Sequence, residues 1–103
     1  MEVVHLNEES LKKLLSRQEK AVLIDFWAQW CAPCCRLAPV LEDFAAKHPD
    51  IIVGKVDVDE YPHLAAEWNV DTIPALFFIR SGKVEKRLGG LMSCEALETN
   101  LGL

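Results

Sequence analysis

Two cysteines three positions apart, in Trp30-Cys31-Ala32-Pro33-Cys34, have a spacing that lets their sulfurs meet as a disulfide or separate as a dithiol with little backbone movement. Exchange with another disulfide needs a thiolate at neutral pH, so the attacking thiol must have a lowered pKa. A helix N-terminus lowers it, through partial positive charge and unpaired N–H donors. Cys31 is expected at such a position as the exposed attacker, with Cys34 resolving the mixed disulfide that forms. Pro33 suits the first helical turn, where its missing N–H breaks no bond, and it limits the motion of the pair. Trp30 is expected to supply an apolar shoulder. The same spacing also makes half of many zinc sites, which is the competing chemistry. A four-cysteine site would need the distant Cys94, and His5, His48 and His63 have no ligand spacing. With cysteines at 31, 34 and 35, local redox chemistry is favoured over structural stapling.

The elements that must hold this pair are legible on either side of it. Ala21–Trp27 is a near-continuous apolar run rich in β-branched and aromatic residues, which predicts a central strand covered on both faces. Leu37, Val40, Leu41 and Phe44 then recur at helical spacing, predicting a helix from near Cys31 to about Lys47, kinked at Pro39. Upstream, Val3–Leu6 is a short strand and Asn7 caps a helix with Glu8 and Glu9 in its first turn and Leu11, Leu14 and Leu15 on one face. Downstream, Ile51–Val58 is a buried strand, and a shorter helix carries Leu64, Ala65 and Trp68. Ala75–Arg80, Ser81-Gly82 and Lys83–Leu88 form a hairpin, and Ser93 caps a last helix with Leu97 and Leu101. The order βαβαβαββα implies an α/β fold with a mixed sheet of about five strands and helices on both faces.

A chain of 103 residues, half of them hydrophobic and 26% charged, suffices for one domain over 1–103 with a core that needs no staples. Eleven basic against 16 acidic residues give a net charge of −5, which offers no footprint for nucleic acid or an anionic membrane. The start, Met1-Glu2-Val3-Val4-His5, lacks the basic stretch and apolar run of a signal peptide, so a cytoplasmic location is expected.

Taken together, Phe26-Trp27-Ala28, Trp30-Cys31-Ala32-Pro33-Cys34, Pro39, Asp57-Val58-Asp59, Ile73-Pro74, Gly82 and Gly89 resemble the thioredoxin family over essentially the whole chain. That resemblance implies the thioredoxin fold, a central mixed five-stranded sheet flanked by four helices. It implies a monomeric protein-disulfide reductase with no metal and no cofactor beyond a redox-active Cys31–Cys34 disulfide, recharged by a thioredoxin reductase and acting on disulfide-containing client proteins. Asp25 interrupts an apolar strand, where an unpaired carboxylate is costly. Its expected job is proton transfer; the resemblance implies that it lies beneath Cys34 and accepts its proton, with Lys55 as charge partner, the alternative being a structural ion pair or a strand-end aspartate. Pro74 reads by itself as a strand-start proline. The resemblance instead implies a cis Ile73-Pro74 bond facing the cysteines, with Ile73 backbone groups free to pair with an extended client segment. It further implies a flat docking rim of Trp30, Val58, Thr72, Ile73, Gly89 and Gly90. Trp27, Tyr61 and Trp68 read as packing residues.

Two motif positions depart from the common family pattern. Ala32 replaces a frequent glycine; a backbone difference of about 0.5 to 1 kcal/mol corresponds to roughly 10 to 20 mV of tuning. Cys35 stands where a basic residue is common, leaving Arg36 as a partial substitute. Cys35 is expected to pack as a small hydrophobe, with competition as a resolving thiol or capture by glutathione as the alternatives. Cys94 is either inert or a surface thiol that dimerises on oxidation. Three rival functions share the fold: a binding module without turnover, a metallochaperone using Cys31, Cys34 and Cys35, and an oxidase or isomerase. The intact pair with Asp25 argues against the first, Pro74 and the missing fourth ligand against the second, and the expected compartment against the third.

Overall fold

The computed structural model describes residues 2–17 and 19–103. Among these, the elements are β1 (Val4–His5), α1 (Glu8–Ser16), β2 (Ala21–Trp27), α2 (Ala32–Lys47), β3 (Ile51–Asp57), α3 (Pro62–Glu67), β4 (Ala75–Arg80), β5 (Lys83–Gly89) and α4 (Cys94–Asn100). The predicted order holds throughout. The sheet runs β1-β3-β2-β4-β5, with β1, β3 and β2 parallel and β4 and β5 antiparallel. It is the mixed five-stranded thioredoxin fold, with β2 at its centre.

Alternation along β2 divides the core. Val22, Ile24 and Phe26 join Leu11 and Leu14 of α1 and Leu64 of α3 on one face. Leu23 joins Leu37, Leu41 and Phe44 of α2 and Leu97 of α4 on the other. A strand flanked by helices on both sides must be apolar at every position, which makes the carboxylate of Asp25, on the α2 face, the exception in β2. Phe26, Trp68 and Phe77 close the opposite core with ring centroids 5.0 to 5.7 Å apart, so Trp68 is a packing residue. Tyr61 also packs against that cluster.

Helix starts follow their caps. Asn7 and Ser10 form a reciprocal capping box at α1, and Ser93 accepts from the Ala96 N–H at α4. The helix α2 runs on through Pro39, whose missing N–H leaves the Cys35 carbonyl without its intrahelical donor. Strand ends differ from the sequence reading by a residue or so. Leu6 and Val58 lie outside β1 and β3, yet each still donates to the sheet, to Lys55 O at 2.8 Å and Trp27 O at 2.9 Å, and β5 continues to Gly89. The outer strand β5 is exposed and rich in charge at Lys83, Glu85, Lys86 and Arg87, which blunts a free edge. No helix among the described residues is long and apolar enough to cross a membrane.

Candidate active site

The helix α2 begins where the buried strand β2 ends, and Cys31 is its N-cap. The Cys31 sulfur accepts the backbone N–H of Cys34 at 3.2 Å, and its carbonyl accepts that of Cys35 at 3.1 Å. The cap that other helices take from Ser, Thr, Asp or Asn oxygen is supplied here by sulfur. Ala32, Pro33 and Cys34 form the first turn, so the proline removes no intrahelical donor. Cys31 and Cys34 are joined as a disulfide, with Cα atoms 5.2 Å apart.

Cys31 is 5% exposed and Cys34 is fully buried. The expectation of an openly exposed attacker is therefore corrected. Trp27, Ile73 and Val58 pack around the pair, and the Ile73 carbonyl oxygen lies 3.8 Å from the Cys31 sulfur. What remains is an asymmetry: only Cys31 has a sliver of surface through which another sulfur can approach.

Asp25 has no solvent exposure, and neither carboxyl oxygen has a hydrogen-bond partner. Burial pushes its pKa up from 3.8 to about 7, against the opposing pull of Lys55. A carboxyl in this range can both take and return a proton near neutral pH. Lys55 sits opposite Asp25 in the β2–β3 register and is itself buried. The expected pairing is met only at a distance. No ion pair within 4 Å joins the two residues, because the Lys55 ammonium lies 4.3 Å above the Trp27 ring centroid, where the π face holds it. The Trp27 indole N–H is buried and unpartnered.

The Ile73-Pro74 bond is cis. The Pro74 carbonyl accepts the Gly90 N–H at 3.2 Å, which ties the loop after β5 to the segment beside Cys31. Gly90 has φ of +86°, a conformation that excludes most side chains. Gly89 pairs with Ala75 at the end of the β4–β5 ladder. Trp30 is 70% exposed, and its indole N–H donates to Asp59 at 2.8 Å. In the sequence Asp59 stands out only as part of a strand end. Leu91, following Gly90, is also exposed.

The other cysteines separate clearly. Cys35 is exposed, and its thiol donates to the Gln29 carbonyl at 3.5 Å. It is not the packed small hydrophobe expected, because the first turn of α2 turns that position outward while Cys34 and Leu37 face the core. Cys94 is half-buried, and burial raises its pKa, with Lys47 opposing. The histidines are scattered: His48 meets Glu98 at 2.6 Å, His63 meets Glu8 at 3.1 Å, and the His5 ring lies 6.1 Å from that of Trp27. No group of three or more metal-ligating side chains occurs among the described residues.

Comparison with known proteins gives one answer. Residues 2–102 match the family model described as Thioredoxin. A thioredoxin of Alicyclobacillus acidocaldarius subsp. acidocaldarius is 44% identical over 84 residues, covering 81% of this chain and 80% of the relative. A thioredoxin of Buchnera aphidicola subsp. Baizongia pistaciae is 36% identical over 102 residues, covering 98% and 94%. Among solved structures, the fold is similar, with a TM-score of 0.86 and 26% identity, to a chain from work on thiol resolution in yeast mitochondrial 1-Cys peroxiredoxin via glutathione and thioredoxin systems. That match covers 98% of this chain and 95% of the other.

Proposed function

This chain belongs to the thioredoxin family and is a thiol-disulfide oxidoreductase that reduces protein disulfides and is recharged by a thioredoxin reductase; within that activity we propose that Cys31 opens each cycle and Cys34 closes it. The family uses no cofactor, so the disulfide itself carries the two electrons.

In the reduced protein the Cys31 sulfur is the cap of α2, where the Cys34 N–H and the helix dipole favour its thiolate. The thiolate attacks one sulfur of a client disulfide. A Cys31–client bond forms, the client bond breaks, and the displaced client sulfur takes a proton. Asp25 then accepts the Cys34 proton, and the Cys34 thiolate attacks the Cys31 sulfur. The Cys31–Cys34 bond forms and the second client thiol leaves, completing a two-electron reduction. Lys55 holds Asp25 near neutral by opposing its desolvation, acting through space from its seat on Trp27.

Docking is assigned to the rim of Trp30, Pro33, Ile73, Pro74, Gly89 and Gly90. Ile73 backbone groups beside Cys31 would pair with an extended client segment, a form of strand addition. We assign the chain to one domain over 1–103; its Cα radius of gyration of 12.4 Å is close to the roughly 13 Å expected of a 100-residue domain. A monomer in the cytoplasm fits two unbridged cysteines, one of them exposed, which suit a reducing compartment. The charge of −5 disfavours nucleic-acid and membrane partners.

The observation that carries these roles is the disulfide between a helix-capping Cys31 and a buried Cys34. The test is to titrate the couple against glutathione and to measure reduction of a protein disulfide with and without a reductase. A reducing couple and reductase-dependent turnover are expected; a strongly oxidising couple would reverse the assigned direction.

A further inference from the structure

A cavity of about 310 Å³ opens beside the Ile73-Pro74 segment, lined by Asp71, Thr72, Pro74, Arg87, Leu88 and Gly89 among others. Its walls are held firmly. Arg87, Leu88 and Gly89 are paired with Phe77, Leu76 and Ala75 across the β4–β5 ladder, and the Gly90 N–H is bound to the Pro74 carbonyl. The two charges on its wall are unequal in what they can still bind. The Arg87 guanidinium donates to the carbonyls of Trp68 and Asn69 and lies 4.9 Å over the Phe77 ring centroid. Asp71 is exposed and has no ion-pair partner among the described residues.

We propose that this cavity is a side-chain subsite for the client segment, and that it takes a lysine or arginine lying close in sequence to the client's cysteine. The inference rests on the reading that the client pairs with the Ile73 backbone. Thr72 and Pro74 flank Ile73 and line the cavity, while the Ile73 carbonyl lies 3.8 Å from the Cys31 sulfur. An extended chain advances roughly 3.3 Å per residue. A client residue one or two positions from the cysteine caught at Cys31 therefore passes the cavity mouth. The stem of a long basic side chain can lie along Pro74 and Leu88 while its head reaches Asp71. An acidic side chain there meets Asp71 as a like charge and finds a guanidinium already bonded to two carbonyls. Asp59, bound to Trp30 on the rim, adds to the same preference.

The test uses disulfide peptides identical except for one residue two positions from the cysteine, which is Lys, Gln or Glu. Their kcat/KM is measured with the full chain and with Asp71→Asn and Asp71→Lys. At low ionic strength the Lys peptide should be favoured over the Glu peptide by about 3- to 10-fold, mostly through KM, and the ratio should shrink in high salt. Asp71→Asn should bring the ratio within about twofold, and Asp71→Lys should reverse it. A ratio unchanged by both substitutions overturns the subsite. N-methylation of the peptide amide that would pair with Ile73 separates the two readings. If it raises KM for all three peptides while the Asp71 variants leave the ratio alone, docking stands and the subsite falls. If it leaves KM unchanged while the variants shift the ratio, the charge recognition stands and the Ile73 pairing falls.

Discussion

At the residue scale, the two cysteines should fail in different ways. Cys31→Ser should reduce turnover to background with no client adduct, whereas Cys34→Ser should accumulate a Cys31–client mixed disulfide, read by non-reducing electrophoresis or intact mass. Cys35→Ser should keep full turnover, since its thiol points outward to the Gln29 carbonyl rather than into the Cys31–Cys34 cluster. Asp25 gives a prediction in pH. Its pKa is raised in the fold from 3.8 to about 7, so the folded state holds the proton more tightly than the unfolded chain. Stability present below pH 3.8 is therefore lost as pH rises, and the loss is complete near the folded value. At about 1.4 kcal/mol per pH unit, the penalty approaches about 4 kcal/mol. Asp25→Asn removes that dependence. Relative to the parent, its stability in denaturant should climb between about pH 4 and 7 and then level off, while resolution of the mixed disulfide slows. A stability difference that stays constant with pH would refute the buried-carboxyl account. Cys31, Cys34 and Asp25 were legible because each breaks a local rule, as thiols at a helix start or a charge in an apolar strand. The seat of Lys55 over Trp27 was not, because it depends on how side chains settle against neighbours distant in sequence, nor was the outward turn of Cys35, which depends on how the first turn of α2 is rotated against the core.

At the element scale, apolar runs and helical spacing placed β2, α2 and the β4–β5 hairpin almost to the residue, and the caps at Asn7 and Ser93 placed the starts of α1 and α4. The ends of β1 and β3 were less legible, since Leu6 and Val58 keep hydrogen bonds to the sheet after leaving the strand geometry. Gly54 shows a constraint that periodicity cannot reveal. It lies in β3 opposite Ile24 and Val4, and a Cβ there would come 2.9 Å from Leu6 Cγ, so the buried Leu6 would have to move. Overpacking costs about 1 to 3 kcal/mol, more than the roughly 0.5 to 1 kcal/mol that alanine regains in backbone entropy. Gly54→Ala should therefore lower the denaturation midpoint. Leu6→Ala by itself should cost about 2 to 5 kcal/mol. In the double variant the space left by Leu6 accommodates the new methyl, so the double variant should lose less stability than the sum of the two single losses. Strict additivity in a double-mutant cycle would show that the Leu6 contact is not what fixes Gly54.

At the scale of the whole molecule, the alternation of strands and helices made the fold class legible, while the strand order β1-β3-β2-β4-β5 came only with the structure. Order is set by which apolar faces meet, and every interior strand here is apolar on both. That sheet also bears on the redox couple, because it fixes β2 and α2 so that the two sulfurs are held together before any bond forms. In the unfolded chain, closing a loop between cysteines three residues apart costs chain entropy equivalent to about 2 kcal/mol. In the fold that cost is already met by the helix cap and the packing around Cys34. The oxidised protein should therefore unfold about 2 kcal/mol less readily than the dithiol form, which for a chain of this size means a melting temperature higher by about 10 °C. By the same thermodynamic cycle, the folded couple should be more reducing than the same cysteines in the unfolded chain by about 40 mV, the direction a reductase needs. Calorimetry of the oxidised and fully reduced protein, with a glutathione titration of the couple in buffer and in denaturant, tests both sides of the cycle. Equal melting temperatures would mean that the fold lends the disulfide no advantage, and the folded couple would then be no more reducing than the unfolded one.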